Sequence, residues 1–183
     1  TSAGCKTFIV HARKAWLKGL SPKENREIPP LDYGRVYRLK AARPELTVVI
    51  NGGINSVDEA LDHLKHVDGV MVGRAAYHTP YMLAEVDQRI FGEQASAPSR
   101  EEILDSLMPY IERHMAQGGR LNNITRHILG LYHGIPGARA FRRHISESAP
   151  GGQASIDVLA AARAMLEEAS ERQLEVVRSE ARS

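Results

Sequence analysis

The sequence predicts an α/β fold: the C-terminal part of a TIM-type (β/α)₈ barrel, strands 6–8, followed by an all-α helical domain. Three observations predict it. Phe8-Ile9-Val10-His11, Thr47–Ile50 and Gly69–Val72 are short, apolar runs, each closed by a polar or glycine-rich corner. Helical spacing separates them, the order expected of right-handed βαβ units on a parallel sheet. Beyond residue 99 only helical patterns remain. A whole barrel takes about 250 residues, and this chain has 183 in all, so part of a barrel is expected.

Each element has its own signal. Phe8–His11 reads as a buried strand. Arg13 to Asp32 reads as a long irregular loop, because Pro22, Pro29 and Pro30 exclude a continuous helix, and loops of that length tend to be functional. Tyr33–Ala42 has helical spacing, and Thr47–Ile50 is the second strand. Ser56-Val57-Asp58-Glu59 is a capping-box pattern that opens a helix with Ala60, Leu61 and Leu64 on one face. Gly69–Val72 is the third strand, and Thr79-Pro80 offers an N-cap and first-turn proline for a helix to about Ile90. Gly92–Pro98 is a small-residue linker, and Ser99-x-x-Glu102 is a second capping box. Helices are expected at about Glu101–Gln117, Leu121–Tyr132, Ala138–Ser146 and Ser155–Arg172, divided by glycine- and proline-bearing breaks. The expected organisation is residues 1–92 as the barrel part, 99–172 as the helical domain and 173–183 as a frayed tail.

The composition, 43% hydrophobic and 25% charged with a formal net charge of +2, is that of an ordinary soluble protein. No apolar run approaches the ~20 residues of a membrane span, and none of these residues reads as a secretory leader, with an N-terminal segment expected to be missing. Thr1 stands where a Met would open a gene product, so a cut or partial chain is expected. The single cysteine, Cys5, rules out an intramolecular disulfide and fits a reducing, cytoplasmic setting. It precedes the first strand, whereas barrel chemistry follows strands, so a loop residue is the better reading than a nucleophile.

Two corners carry the chemistry. Asn51-Gly52-Gly53 follows a strand directly; glycines let backbone N–H groups approach an anion, and the helix opening near Ser56 adds its dipole. Gly73-Arg74 ends the next strand, and Arg74 can reach a phosphate with two hydrogen bonds. One βα unit apart, they match the phosphate-binding loops after strands 7 and 8. The alternative is a plain turn at Gly52-Gly53 and a carboxylate partner for Arg74. His11, at the end of the first strand, reads as a donor to a cofactor ring or phosphate, or as a bond to loop backbone. Lys23 and Arg26, spaced i, i+3, share a face of a helical turn or belong to a solvated loop. From Arg113 to Ser146 there is no Asp or Glu, while Arg139, Arg142 and Arg143 fall on one helix face. That pattern suits a polyanion backbone; a solvated face is the alternative. The histidines of this stretch lack i, i+4 pairing, so no metal is expected.

Three stretches together resemble a known family. His11-Ala12-Arg13-Lys14-Ala15-Trp16-Leu17, continuing through Ser21-Pro22-Lys23-Glu24-Asn25-Arg26 to Tyr33, is similar to the tRNA-dihydrouridine synthases, specifically their A subfamily. Ile50–Ile54 with Asp68–Arg74, and Ile124-Thr125-Arg126-His127-Ile128-Leu129-Gly130-Leu131, match the same family. The resemblance implies FMN in a barrel, NADPH as reductant, and reduction of C5=C6 in D-loop uridines of the 20/20a type, with a helical domain gripping the tRNA. It implies that His11 contacts FMN, that Asn51, Gly52, Gly53, Gly73 and Arg74 hold its phosphate, and that Lys23, Arg26, Arg139 and Arg142 contact tRNA. The family's catalytic cysteine lies in an Asn-x-x-Gly-Cys-Pro motif that does not occur here; it is expected upstream of Thr1, with the N-terminal half of the barrel. The isolated chain is accordingly expected to be inactive. The rival reading is a non-catalytic RNA-binding module.

Overall fold

A three-stranded parallel sheet in the order β1-β2-β3 organises the first part of the chain. The computed structural model describes residues 1–16 and 18–181; Leu17 of the long motif and residues 182–183 of the expected tail lie outside them. β1 spans Thr7–His11, β2 Thr47–Asn51 and β3 Gly69–Met71. The register sets His11 beside Asn51 and Asn51 beside Met71. Helix α1 (Tyr33–Ala42) joins β1 to β2, and α2 (Val57–Leu64) joins β2 to β3. Short α3 (Arg74–His78) follows, and α4 (Val86–Phe91) comes after a 3₁₀ segment at Pro80–Glu85.

The described chain divides into two units. The first comprises Thr1–Ala76 and Glu85–Gln94; the second comprises Tyr77–Ala84 and the residues from Ala95 onward. Tyr77–Ala84 thus clusters with the helical part rather than with residues 1–92.

In the first unit Val48 and Ile50 pack with Val36 of α1 and Ala60 of α2, and Phe8, Val10 and Ile90 close around them. The strands alternate, so the other face of the sheet carries Ile9 and Met71, 60% and 46% exposed. Helices therefore cover one face only. The strand starts are fixed by Lys40, whose Nζ donates to Pro44 O (3.0 Å) and Leu46 O (2.8 Å) and pairs with Asp68 at 2.8 Å. Asp68 also accepts from the N–H of Val48 at 2.8 Å. Lys40 and that N–H hold the Asp68 carboxyl below its ordinary range.

The second unit packs α5 (Arg100–Ala116), α6 (Asn122–Thr125), α7 (Ala138–Ser148) and α8 (Asp157–Glu180) around Leu104, Ile111, Tyr132, Phe141, Ile145 and Leu159. Ser99 and Glu102 complete the reciprocal capping box of α5. Burial pushes the Tyr132 phenol up to about 12. No helix among the described residues is long and apolar enough to cross a membrane.

Three expectations are corrected. The helix expected from Thr79-Pro80 to about Ile90 is not one α-helix: Pro80–Glu85 takes the tighter 3₁₀ form common at helix N-termini, and only Val86–Phe91 is α-helical. The helix at Leu121–Tyr132 is a single turn, Asn122–Thr125. Thr125 Oγ1 donates back to Leu121 O at 3.3 Å, and at Gly130 a β-carbon would run into the carbonyl of His78. The last helix does not fray at residue 173 but continues to Glu180. Its extension holds no Gly or Pro, and Arg172 pairs with Glu168 at i, i+4, 3.0 Å apart.

Candidate functional site

The C-terminal ends of the three strands are tied by a row of hydrogen bonds. His11 Nδ1 lies 3.1 Å from Asn51 O, which also accepts the N–H of Ala12 at 2.8 Å. Asn51 Nδ2 donates to Met71 O at 2.8 Å. His11 and Asn51 thus stand side by side at the end of the uncovered sheet face, sharing its side-chain parity with Ile9 and Met71.

Gly52 and Gly53 turn the chain away with φ of +118° and +71°, values that side-chain-bearing residues rarely adopt. A β-carbon on Gly52 would lie 2.6 Å from His11 Nδ1, so this glycine is required by its own neighbours. The Gly52 carbonyl accepts from Tyr33 Oη at 2.9 Å. Among the described residues, the N–H groups of Gly52 and Gly53 donate to nothing, although Gly52 is buried. A buried N–H without a partner is uncommon and costs free energy. Gly73 likewise donates to nothing, and a β-carbon there would meet open space. The corner is therefore a set of unspent backbone donors, which suits an anion.

The N-terminus of α2 carries its own cap. Ser56 Oγ accepts from Glu59 N at 3.1 Å, and Glu59 reaches back to the N–H of Asn55 at 2.7 Å. Two of the N–H groups around this helix end are thereby satisfied from within the chain.

Arg74 makes the alternative bond foreseen for it. Its Nη1 pairs with Glu27 Oε1 at 2.8 Å, and Nη2 approaches Arg26 O at 3.4 Å. Both side chains are about half exposed, so the pair is held weakly. Glu27 belongs to the long loop, which is irregular as expected apart from one short 3₁₀ turn, and whose described residues are tied by side-chain bonds to backbone. Arg13 and Leu31 form an antiparallel bridge at its neck, and the Arg13 guanidinium donates to the carbonyls of Glu27 and Pro29. Asn25 accepts from Trp16 N at 2.8 Å and donates to Trp16 O at 3.0 Å. Ser21 and Glu24 cap a 3₁₀ turn at Glu24–Arg26, and their hydrogen bonds hold the Glu24 carboxyl below its usual range. Lys23 and Arg26 flank that turn, both exposed, where i and i+3 eclipse.

In the second unit Phe141 and Ile145 of α7 are buried, while Arg139 and Arg143 are exposed and Arg142 is half-buried. Among the described residues none of the three has a carboxylate partner. Arg142 also lines a pocket of about 370 Å³ with Tyr77, His78, Arg126, His127 and His133.

The structure thus joins His11, Asn51, Gly52 and Gly53 at one set of strand ends, and brings Arg74 to the loop that bears Lys23 and Arg26. Arg139 and Arg142 belong to the other unit. Sequence reasoning missed Glu27, Arg13, Tyr33 and Asn25 in the first unit, and Tyr77 and His127 in the second. Ser21-x-x-Glu24 was a readable signal for the 3₁₀ turn; the others meet partners far away in sequence and leave no pattern.

Comparison with known proteins gives concordant results. The family model for dihydrouridine synthase matches residues 1–169. A tRNA-dihydrouridine(20/20a) synthase of Shewanella oneidensis is 60% identical over 156 residues, covering 85% of this chain and 47% of that protein. Proteins of the same name from Vibrio cholerae and Escherichia coli K12 are 56% and 59% identical, with 85% of this chain and 48% and 45% of theirs covered. The chain spans about half the length of the curated relatives it matches.

Proposed function

The chain belongs to the dihydrouridine synthase family, and on that premise we propose that it forms the C-terminal part of an FMN-dependent tRNA-dihydrouridine synthase: barrel strands 6–8 and the helical domain that follows. The observation that carries the reading is the corner at Gly52, Gly53 and Gly73, with its unspent N–H donors beside Arg74. These donors, with Arg74 turning from Glu27, hold the FMN phosphate. His11, fixed through Nδ1 to the Asn51 carbonyl, would contact the flavin. Asn51 spends its amide on Met71 and so acts mainly by aligning the strand ends.

FMN held there would supply hydride, drawn from NADPH, for a uracil extruded from the tRNA stack. The sheet face bearing Ile9 and Met71 is the barrel interior in this reading. Lys23, Arg26, Arg139 and Arg142 take tRNA phosphates, and a cytoplasmic site of action follows from the substrate. Cys5 is not the proton donor. It precedes β1, at the opposite end of the strands, and its thiol donates to Thr7 O at 3.3 Å. In this reading the proton donor is supplied from outside the 183 residues of this chain.

The test is a chimera in which this chain replaces the matched residues of the Shewanella oneidensis relative. Arg74→Gln removes a charge-assisted phosphate contact from an exposed position, so FMN dissociation should rise roughly tenfold to a hundredfold with the melting temperature unchanged. FMN titration checks it. Equal affinity in both chimeras would show that the corner does not bind the phosphate.

A further inference from the structure

The second unit holds one assembly that the phosphate and arginine readings leave unused. Tyr77 is 55% exposed, yet its ring is fixed. Its hydroxyl lies 3.0 Å from His127 Nδ1, and the two rings meet edge-on with centroids 5.9 Å apart. On the other side of the same imidazole, Arg126 Nε lies 2.9 Å from His127 Nε2. A guanidinium can only donate, so Nε2 accepts, Nδ1 carries the proton, and the Tyr77 oxygen receives it. The chain Arg126–His127–Tyr77 thus pins an aromatic ring that solvent still reaches.

This ring walls the pocket of about 370 Å³ that Arg126 and Arg142 also line. That volume falls within the range of small-molecule sites. None of the lining residues is acidic, and neither arginine has a carboxylate partner among the described residues. A pre-oriented ring beside two guanidiniums whose charge no carboxylate offsets among the described residues is the chemistry that takes an unstacked nucleotide, the base on the ring and the phosphate on the arginines. An acidic peptide would use the arginines and leave the ring idle.

We propose that this pocket receives one unpaired nucleotide of the bound tRNA, stacked on Tyr77 with its phosphate on Arg126 and Arg142. The proposal rests on the reading that the chain binds tRNA.

The test measures binding of an unmodified tRNA transcript to the 183-residue chain by fluorescence anisotropy across a salt series. Tyr77→Ala should weaken binding roughly tenfold or more, leaving the slope against log salt unchanged, because stacking releases no counterion. Tyr77→Phe keeps the ring and should stay within about twofold. Arg126→Gln should lower the slope by about one. The pocket assignment is overturned if Tyr77→Ala binds like the parent chain, if Tyr77→Phe falls as far as Tyr77→Ala, or if free nucleoside monophosphates compete at the affinity of the tRNA. A parent chain that binds no tRNA at any salt overturns the tRNA reading and this one with it. A parent that binds but ignores Tyr77 overturns this one alone.

Discussion

His63 stands outside every motif, yet it is the buried imidazole of the first unit. It lies on the inner face of α2, with Tyr37 Oη 2.6 Å from Nδ1 and the Tyr33 ring packed edge-on at 4.4 Å. Burial disfavours the imidazolium and holds His63 below its ordinary 6.5, outweighing the opposing pull of Glu59 and Asp62. The sign follows from proton counts. Between the lowered native value and 6.5 the unfolded chain binds more protons, so stability rises with pH across that window. It is fully present above 6.5 and is lost as pH falls below it. The melting temperature should therefore drop between pH 6.5 and 5 in the parent chain, and less steeply in His63→Gln. An identical slope in both would show that His63 does not carry it. Arg74 illustrates the same scale from the other side: the residue was legible, but its bond to Glu27, 47 positions away, was not.

Among the elements, the loop from Arg13 to Asp32 holds most of what the sequence hid. Its prolines announced a break in regular structure, but not the closure by Arg13 on two carbonyls or the amide of Asn25 on Trp16. Asn25→Ala would strand both backbone groups of Trp16. Loss of about two hydrogen bonds should open the loop and speed tryptic cleavage at Lys18 and Lys23 roughly tenfold. Unchanged cleavage would mean that the Arg13–Leu31 neck alone holds the loop. The strands were legible because short apolar runs between glycine corners have few other solutions, and Ser56 and Ser99 cap α2 and α5 as their spacing predicts. Leu121–Tyr132 misled because its apolar spacing is helical while its backbone is set by packing, with Gly130 pressed against His78. The extension of α8 carries no apolar periodicity strong enough to announce it, although residues 173–180 contain only good or tolerable helix formers.

At the scale of the molecule, two cores serve two kinds of surface. One holds a parallel sheet, covered by helices on a single face, with free backbone donors at its strand ends. The other holds a helical unit in which Arg139, Arg142 and Arg143 of α7 have no carboxylate partner among the described residues. In the proposed function the first takes a phosphate-bearing cofactor and the second takes RNA. The most direct measurement is the dihydrouridine content at positions 20 and 20a of tRNA. The tRNA would come from cells that lack their own 20/20a synthase and express the Shewanella oneidensis chimera bearing this chain. Dihydrouridine restored at those positions, and lost again in Arg74→Gln, is the predicted result. A soluble, FMN-loaded chimera that leaves both positions as uridine would contradict the account.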